Sequence, residues 1–79
     1  MSWSILYTPA ALEDKLQLAT LGFNQVFEQV LQQLQAQPQT GTALVADLAG
    51  AYHKTIIGQH AIIYQPITEQ KIIKILAIV

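Results

Sequence analysis

The chain has 79 residues, enough for one domain over 1–79 with a small core. Apolar residues make up 52% of it, which predicts a folded protein. The formal net charge is −1 and the sequence contains no arginine, which argues against tight, autonomous binding of DNA or RNA. It also has no cysteine, no secretory signal and no apolar run long enough to span a bilayer, so we expect a cytoplasmic protein without disulfides or membrane contact.

The first half of the sequence predicts a strand followed by helices. Residues 3–7 are aromatic and β-rich, and Thr8-Pro9 ends the strand and offers a helix start. Gly22 either kinks one long helix or separates two, and we favour two, the second over 23–36. Glu13 and Asp14 are expected in the first turns of the first helix, where they offset its dipole. Helical spacing predicts a core-facing set of Leu12, Leu16, Ala19, Phe23, Phe27, Val30, Leu31 and Leu34.

The second half of the sequence predicts strands. Four runs rich in β-branched and aromatic residues, with short connections typical of antiparallel hairpins, cover 42–48, 52–57, 60–65 and 71–79. The order of elements predicts an α+β domain: an N-terminal strand, a two-helix hairpin and then a curled antiparallel sheet with the helices on one face. Because the chain is so apolar, we expect a partner chain, or a second copy in a homodimer, to cover the other sheet face or an edge.

Polar residues that could carry chemistry lie on the predicted central hairpin. His53 and His60 flank the turn at Gly58, and their hairpin register decides whether they face each other. Lys54 is suited to contacting a phosphate, and Tyr64 is either a proton donor or an amphipathic core tyrosine. For the two histidines and for Tyr64, the structural interpretation outweighs the catalytic one. No metal-spaced cluster or phosphate loop is present, so neither a metal nor a cofactor is expected.

Short motifs along nearly the whole chain resemble those of the RelE/ParE superfamily, the toxins of bacterial type II toxin–antitoxin modules. They are Tyr7-x-x-Ala10, Pro38-x-x-Gly41, Asp47-Leu48-x-Gly50-x-Tyr52, Gly58-x-His60-x-Ile62-Ile63-Tyr64 and Ile73-x-Ile75-Leu76. The resemblance implies the fold described above and a cognate antitoxin whose helices or strand wrap the toxin. It also implies plasmid stabilisation or growth inhibition through one of two mechanisms. RelE-like members are ribosome-dependent mRNA endoribonucleases, whereas ParE-like members poison DNA gyrase through a protein contact.

The sequence departs from the ribonuclease pattern at the positions that supply positive charge. Ala61 stands where these members commonly carry arginine, and His53 and Lys54 occupy another position where arginine often occurs. The catalytic tail of many relatives is expected to be missing, because the sequence reaches only Val79. Cleavage of a phosphodiester without a metal needs charge stabilisation as well as an acid and a base. We therefore favour gyrase poisoning over ribonuclease action, for which His53, Lys54, His60 and Tyr64 are the candidate catalytic residues. A degenerate module that only binds an antitoxin or itself is the third hypothesis.

Overall fold

The computed structural model describes residues 3–45 and 49–79. Its elements in chain order are β1 (Ser4–Tyr7), α1 (Pro9–Thr20), α2 (Asn24–Ala36), β2 (Thr42–Ala43), β3 (Tyr52–Ile57), β4 (His60–Ile67) and β5 (Ile72–Ile78). The predicted α+β class is confirmed, with a strand, a helical hairpin and C-terminal strands in that order. Of the strand predicted over 42–48, the structure has Thr42–Ala43 as strand, and residues 46–48 lie outside the described part of the chain, together with Asp47 and Leu48 of the quoted motif.

The helical hairpin begins and turns where the sequence predicted. Thr8 caps α1, because its Oγ1 accepts a hydrogen bond from the amide of Ala11 at 3.2 Å, and Pro9 occupies the first turn. Gly22 separates the helices with a φ of +85°, a left-handed conformation that glycine adopts without steric cost. Two helices, rather than one kinked helix, are therefore confirmed. Neither α1 nor α2 has the length and apolarity needed to cross a membrane.

The strands form one five-stranded sheet in the order β1-β5-β4-β3-β2. The four C-terminal strands pair antiparallel as predicted, but β1 runs parallel to β5, so the sheet is mixed. β4 extends two residues beyond its predicted end and includes Pro66. The proline is tolerated because the last β3–β4 pair is Tyr52 with Tyr64, so Pro66 has only β5 beside it.

Both helices pack on one face of this sheet, here called the helix face. The core cluster joins Phe27, Leu31 and Leu34 of α2 to alternate residues of the strands, Ile56, Ile62, Tyr64, Ile73, Ile75 and Ile78. The side chains between them point to the opposite face, here called the open face. Its register rows are Thr42–His53–Ile63–Ala77 and Leu6–Lys74–Gln65. The buried surface that stabilises the fold therefore lies between the hairpin and one side of the sheet.

The predicted inward face of α1 was wrong. Leu12 and Leu16 are 48% and 70% exposed, whereas Ala11 and Leu18 are buried. Helical periodicity indicated correctly that residues in this stretch form a helix, but Leu12, Leu16 and Ala19 form a stripe on its outer side. The small side chain of Ala11 lets α1 approach the sheet closely, and the contacts with β5 then fix which side of the helix is buried.

The expected role of Glu13 and Asp14 was also wrong. The first turn of α1, where a charge offsets the dipole most, contains no acidic residue, and these carboxylates lie in the turn that follows it. The Oδ2 atom of Asp14 instead accepts a hydrogen bond from the amide of Ile78 at 3.1 Å, and the hydroxyl of Thr8 donates to the carbonyl of Leu76 at 3.0 Å. The last β1–β5 pair is Tyr7 with Ile75. Side chains of α1 and its cap therefore satisfy backbone groups of β5 beyond the end of β1.

We predict that Ile75→Ala destabilises the protein strongly, because Ile75 is fully buried at the centre of the core. The expected loss of unfolding free energy is about 2 to 5 kcal/mol, measured by chemical denaturation. Leu16→Ala is the matched control, because Leu16 is 70% exposed; a change within about 0.5 kcal/mol is expected there. Equal effects of the two substitutions would contradict the placement of the core.

Candidate functional site

The four residues predicted from the sequence do not form one cluster. His60 lies beside the helical hairpin, with its ring centroid 5.5 Å from that of Phe23. Tyr64 is fully buried on the helix face of β4. Lys54 and His53 are neighbours on β3. The structure therefore brings two of the four together and places the other two elsewhere.

The register of the central hairpin separates the two histidines. His53 pairs with Ile63 on the open face, while His60 shares the parity of Ile62 and Tyr64 on the helix face of β4. A β-bulge between Thr55 and Ile57 shifts the register near the turn. The sequence left open whether the two histidines face each other. In the structure they do not, so the two imidazoles cannot act together on one proton.

A small open hollow of about 210 Å³ lies where β2 leaves β3. His53 and Lys54 line it from β3, together with Thr55, although they emerge from opposite sides of the strand. The other wall is the segment Thr40–Gly41–Thr42, which connects α2 to the sheet. The hollow thus combines one ammonium, one imidazole and three hydroxyl groups, which suits it to binding an anionic group.

Tyr64 does not line this hollow but contacts its wall from the core. The amide of Gly41 donates a hydrogen bond to the phenol oxygen of Tyr64 at 3.1 Å. The ring of Tyr64 stacks on that of Tyr52 with centroids 5.7 Å apart and planes 20° from parallel. A Cβ atom at position 41 would lie 2.7 Å from the carbonyl oxygen of His53 and 2.8 Å from the Tyr64 hydroxyl, so the close approach requires glycine. The buried phenol thereby fixes the wall of the hollow.

Burial raises the pKa of Tyr64 above 10.0, an effect to which Tyr52 adds and which the hydrogen bond from the Gly41 backbone partly opposes. The phenol is therefore neutral at physiological pH and accepts the bond from Gly41. In this structure Tyr64 has the position of a core tyrosine, the second of the two interpretations that the sequence allowed.

The hollow is incomplete as a site for phosphodiester cleavage. Such chemistry needs an acid, a base and stabilisation of the charge on the phosphorane, and here one imidazole and one ammonium are close together. Within 3–45 and 49–79, no three histidine or carboxylate side chains are grouped so that they could hold a metal ion. Binding through charge and hydrogen bonds is the chemistry that the arrangement supports best.

Sequence reasoning missed Thr40, Thr42 and Thr55, which complete the walls of the hollow. Gly41 could have pointed to Thr40 and Thr42, because a glycine between two threonines after a helix indicates that the backbone approaches another segment closely there. Only the pairing of β2 with β3 shows that this approach is made to His53.

We predict that Tyr64→Phe lowers stability below pH 10 by about 0.5 to 1.5 kcal/mol, because the Gly41 amide loses its acceptor. Wild-type stability should be complete below the unfolded tyrosine pKa near 10.0 and fall as pH rises toward the raised pKa of folded Tyr64. The variant lacks this ionisation, so its deficit should narrow at alkaline pH. Denaturant unfolding between pH 7 and 11.5 measures both effects, and a constant deficit across that range would contradict them.

Comparisons with known proteins were made for the sequence and for the structure. No protein-family model and no curated protein sequence matches the chain. Among solved structures, a chain of the RelBE2 toxin–antitoxin complex of Mycobacterium tuberculosis is similar with a TM-score of 0.82 and 23% identity, covering 99% of this chain and 96% of that one. A YoeB/ParE toxin of Agrobacterium tumefaciens has a TM-score of 0.85 at 14% identity, covering 95% and 94%. The YoeB dimer of Staphylococcus aureus has a TM-score of 0.79 at 20% identity, covering 98% and 94%. The chain therefore has the fold of the RelE, YoeB and ParE toxins, as its motifs predicted.

Proposed function

We propose that this chain is the toxin of a bacterial toxin–antitoxin module, that it inhibits growth through a ParE-like contact with DNA gyrase, and that a cognate antitoxin neutralises it. The similar structures support the general part of this proposal, because one is named a toxin, one is a YoeB dimer, and one is a chain of a toxin–antitoxin complex, 96% of which this chain covers. We place its action in the cytoplasm, where gyrase and an antitoxin would both be found.

The observation that favours a protein contact over RNA cleavage is the dispersal of the candidate catalytic residues. Tyr64 is buried in the core, His60 contacts Phe23, and His53 and His60 lie on opposite faces of the sheet. The sequence has no arginine to replace their charge. A fold of this class that lacks an assembled acid, base and cation is better suited to bind a protein than to cleave a phosphodiester.

Growth of a bacterial culture after induced expression tests the proposal. We expect growth arrest, intact mRNA in the arrested cells, and inhibition of gyrase supercoiling in vitro that additional gyrase relieves. Inhibited supercoiling by the purified chain is the direct readout. Normal growth in cells that contain the correctly folded chain at a high level would reject the toxin hypothesis. The hypothesis of a degenerate module that only binds an antitoxin or itself would then remain.

Ribosome-dependent mRNA cleavage is the second candidate function, because His53 and Lys54 share one hollow with three threonine hydroxyls. Under this hypothesis the two side chains would bind the scissile phosphate and move a proton. Cleaved mRNA with normal supercoiling in the arrested cells would replace the gyrase proposal with this one.

The ribonuclease hypothesis makes a direct prediction for a triple substitution of His53, Lys54 and His60 to alanine. If the chain is a ribonuclease, the variant should lose RNA cleavage completely, because no other imidazole remains in the sequence. Single His60→Ala is the control, since His60 lies apart from the hollow and should change cleavage little. Full cleavage by the triple variant, measured on ribosome-bound mRNA, would contradict the assignment of these residues.

A further inference from the structure

The hollow beside His53 is one part of a longer groove. A second hollow of about 240 Å³ lies between Lys54 and the end of α2, and a third of about 450 Å³ lies between Trp3 and the segment 37–40. Thr40 lines all three hollows, Gln37 lines the second and third, and Lys54 lines the first and second. Because they share these lining residues, the three hollows lie side by side around the end of α2, from Trp3 to His53, and this row of hollows is here called the groove.

One end of the groove is apolar and rigid. Trp3 packs against the core and is held at its backbone by Gln35, whose side-chain amide donates to the Trp3 carbonyl at 2.9 Å and whose carbonyl accepts from the Trp3 amide. Half-buried Pro38 forms the wall opposite, and Thr68 of the β4–β5 turn completes it. An indole beside a proline offers an apolar site for one side chain of a partner.

The other end of the groove carries one positive charge, the ammonium group of Lys54. Lys54 and His53 lie there, and none of the described residues that line the three hollows is a carboxylate. This contrasts with the whole chain, whose net charge is −1. An acidic side chain is the complementary group for this end.

From these features we infer that the groove binds an extended segment of a partner protein, with an apolar or proline residue against Trp3 and an acidic residue near Lys54 and His53. Three small hollows in a row suit successive side chains of an extended chain, whereas a helix of about 10 Å diameter needs a single broad apolar groove. The inference rests on the proposed function only in taking the partner to be a protein.

Single-stranded nucleic acid is the competing occupant, since Trp3 could stack on a base. The groove has one permanent cation, Lys54, for a ligand that carries a negative charge at every nucleotide. A peptide with one acidic side chain needs only one contact with a cation, so a single lysine favours a peptide over a nucleic acid.

Lys54 also has a structural alternative. It lies beside Gln33 and Ala36 in the last turn of α2, where the helix dipole is negative. If offsetting this dipole were its only role, Lys54→Gln would lower the melting temperature and leave peptide binding unchanged. The experiment below separates the two roles.

Selection of a displayed library of random 12-residue peptides against the full chain tests the inference. We expect enriched peptides to share an apolar or proline residue followed or preceded within a few positions by aspartate or glutamate. Binding of the synthesised peptides, followed by fluorescence anisotropy, should weaken about tenfold for Thr40→Gln, which places a larger neutral side chain where the three hollows meet. Lys54→Gln should weaken it about fivefold and reduce its salt dependence.

Lys74→Gln is the matched control, because it removes the same charge from the open face, outside the groove. Peptides with amides in place of their acidic side chains should bind wild type and Lys54→Gln equally. The inference would be overturned if the selection enriched no peptide or if the enriched peptides shared no acidic residue. It would also be overturned if the Thr40→Gln variant bound the peptides as tightly as wild type. Displacement of the peptides by a ten-nucleotide uridine oligomer at micromolar concentration would replace the protein partner with RNA. These outcomes do not depend on the growth assay, so the groove and the toxin proposal can fail separately.

Discussion

The packing of one buried phenol determines how the sheet and the candidate site are joined. Tyr64 lies in the central strand β4, stacks on Tyr52 of β3 and accepts a hydrogen bond from Gly41. The stack belongs to the core, while Gly41 belongs to the segment that leads from α2 into the edge strand β2. Because β2 has only two residues, the hydrogen bond from Gly41 to Tyr64 adds to the short β2–β3 ladder in holding this segment to the sheet. The wall of the hollow is therefore tied directly to the core at Gly41.

A second constraint is the completion of short strands by helix side chains. β1 covers only part of β5, and Thr8 and Asp14 bond to the β5 backbone beyond it. Gln35 of α2 does the same for Trp3 just before β1. These contacts satisfy backbone groups that an incomplete sheet would otherwise leave open to pairing with another chain. They also orient α1 and α2 on the sheet and so place the groove at the end of α2.

The distribution of charge limits what the site can do. Lys54 gives the hollow one positive charge beside the imidazole of His53, His60 lies elsewhere, and Tyr64 is buried behind the wall that Gly41 forms. In the described part of the chain, the four residues predicted as catalytic are thus not gathered in one place. Recognition of a protein is consistent with both the sparse charge and the groove that ends at Trp3, and it links the proposed function with the inferred partner segment.

The sequence by itself determined the class of fold, the number and order of its elements and the position of the helix break. Each of these depends on local signals: a period of two or of 3.6 residues, a capping threonine and a glycine that can adopt a positive φ at position 22. The motifs were sufficient to indicate the toxin fold, and they included Gly41 and Tyr64 without showing that these two residues touch. The sequence also identified His53 and Lys54, which do share a hollow.

Only the tertiary structure decided which faces those elements present. Periodicity is the same for an inward and an outward stripe, so Leu12 and Leu16 could not be recognised as exposed until β5 fixed the rotation of α1. The parallel pairing of β1 and the opposite orientation of His53 and His60 depend on contacts between residues far apart in the sequence. A functional site depends on such long-range contacts, because its side chains must lie close together in space. Local sequence patterns do not specify which distant segments of the chain become neighbours.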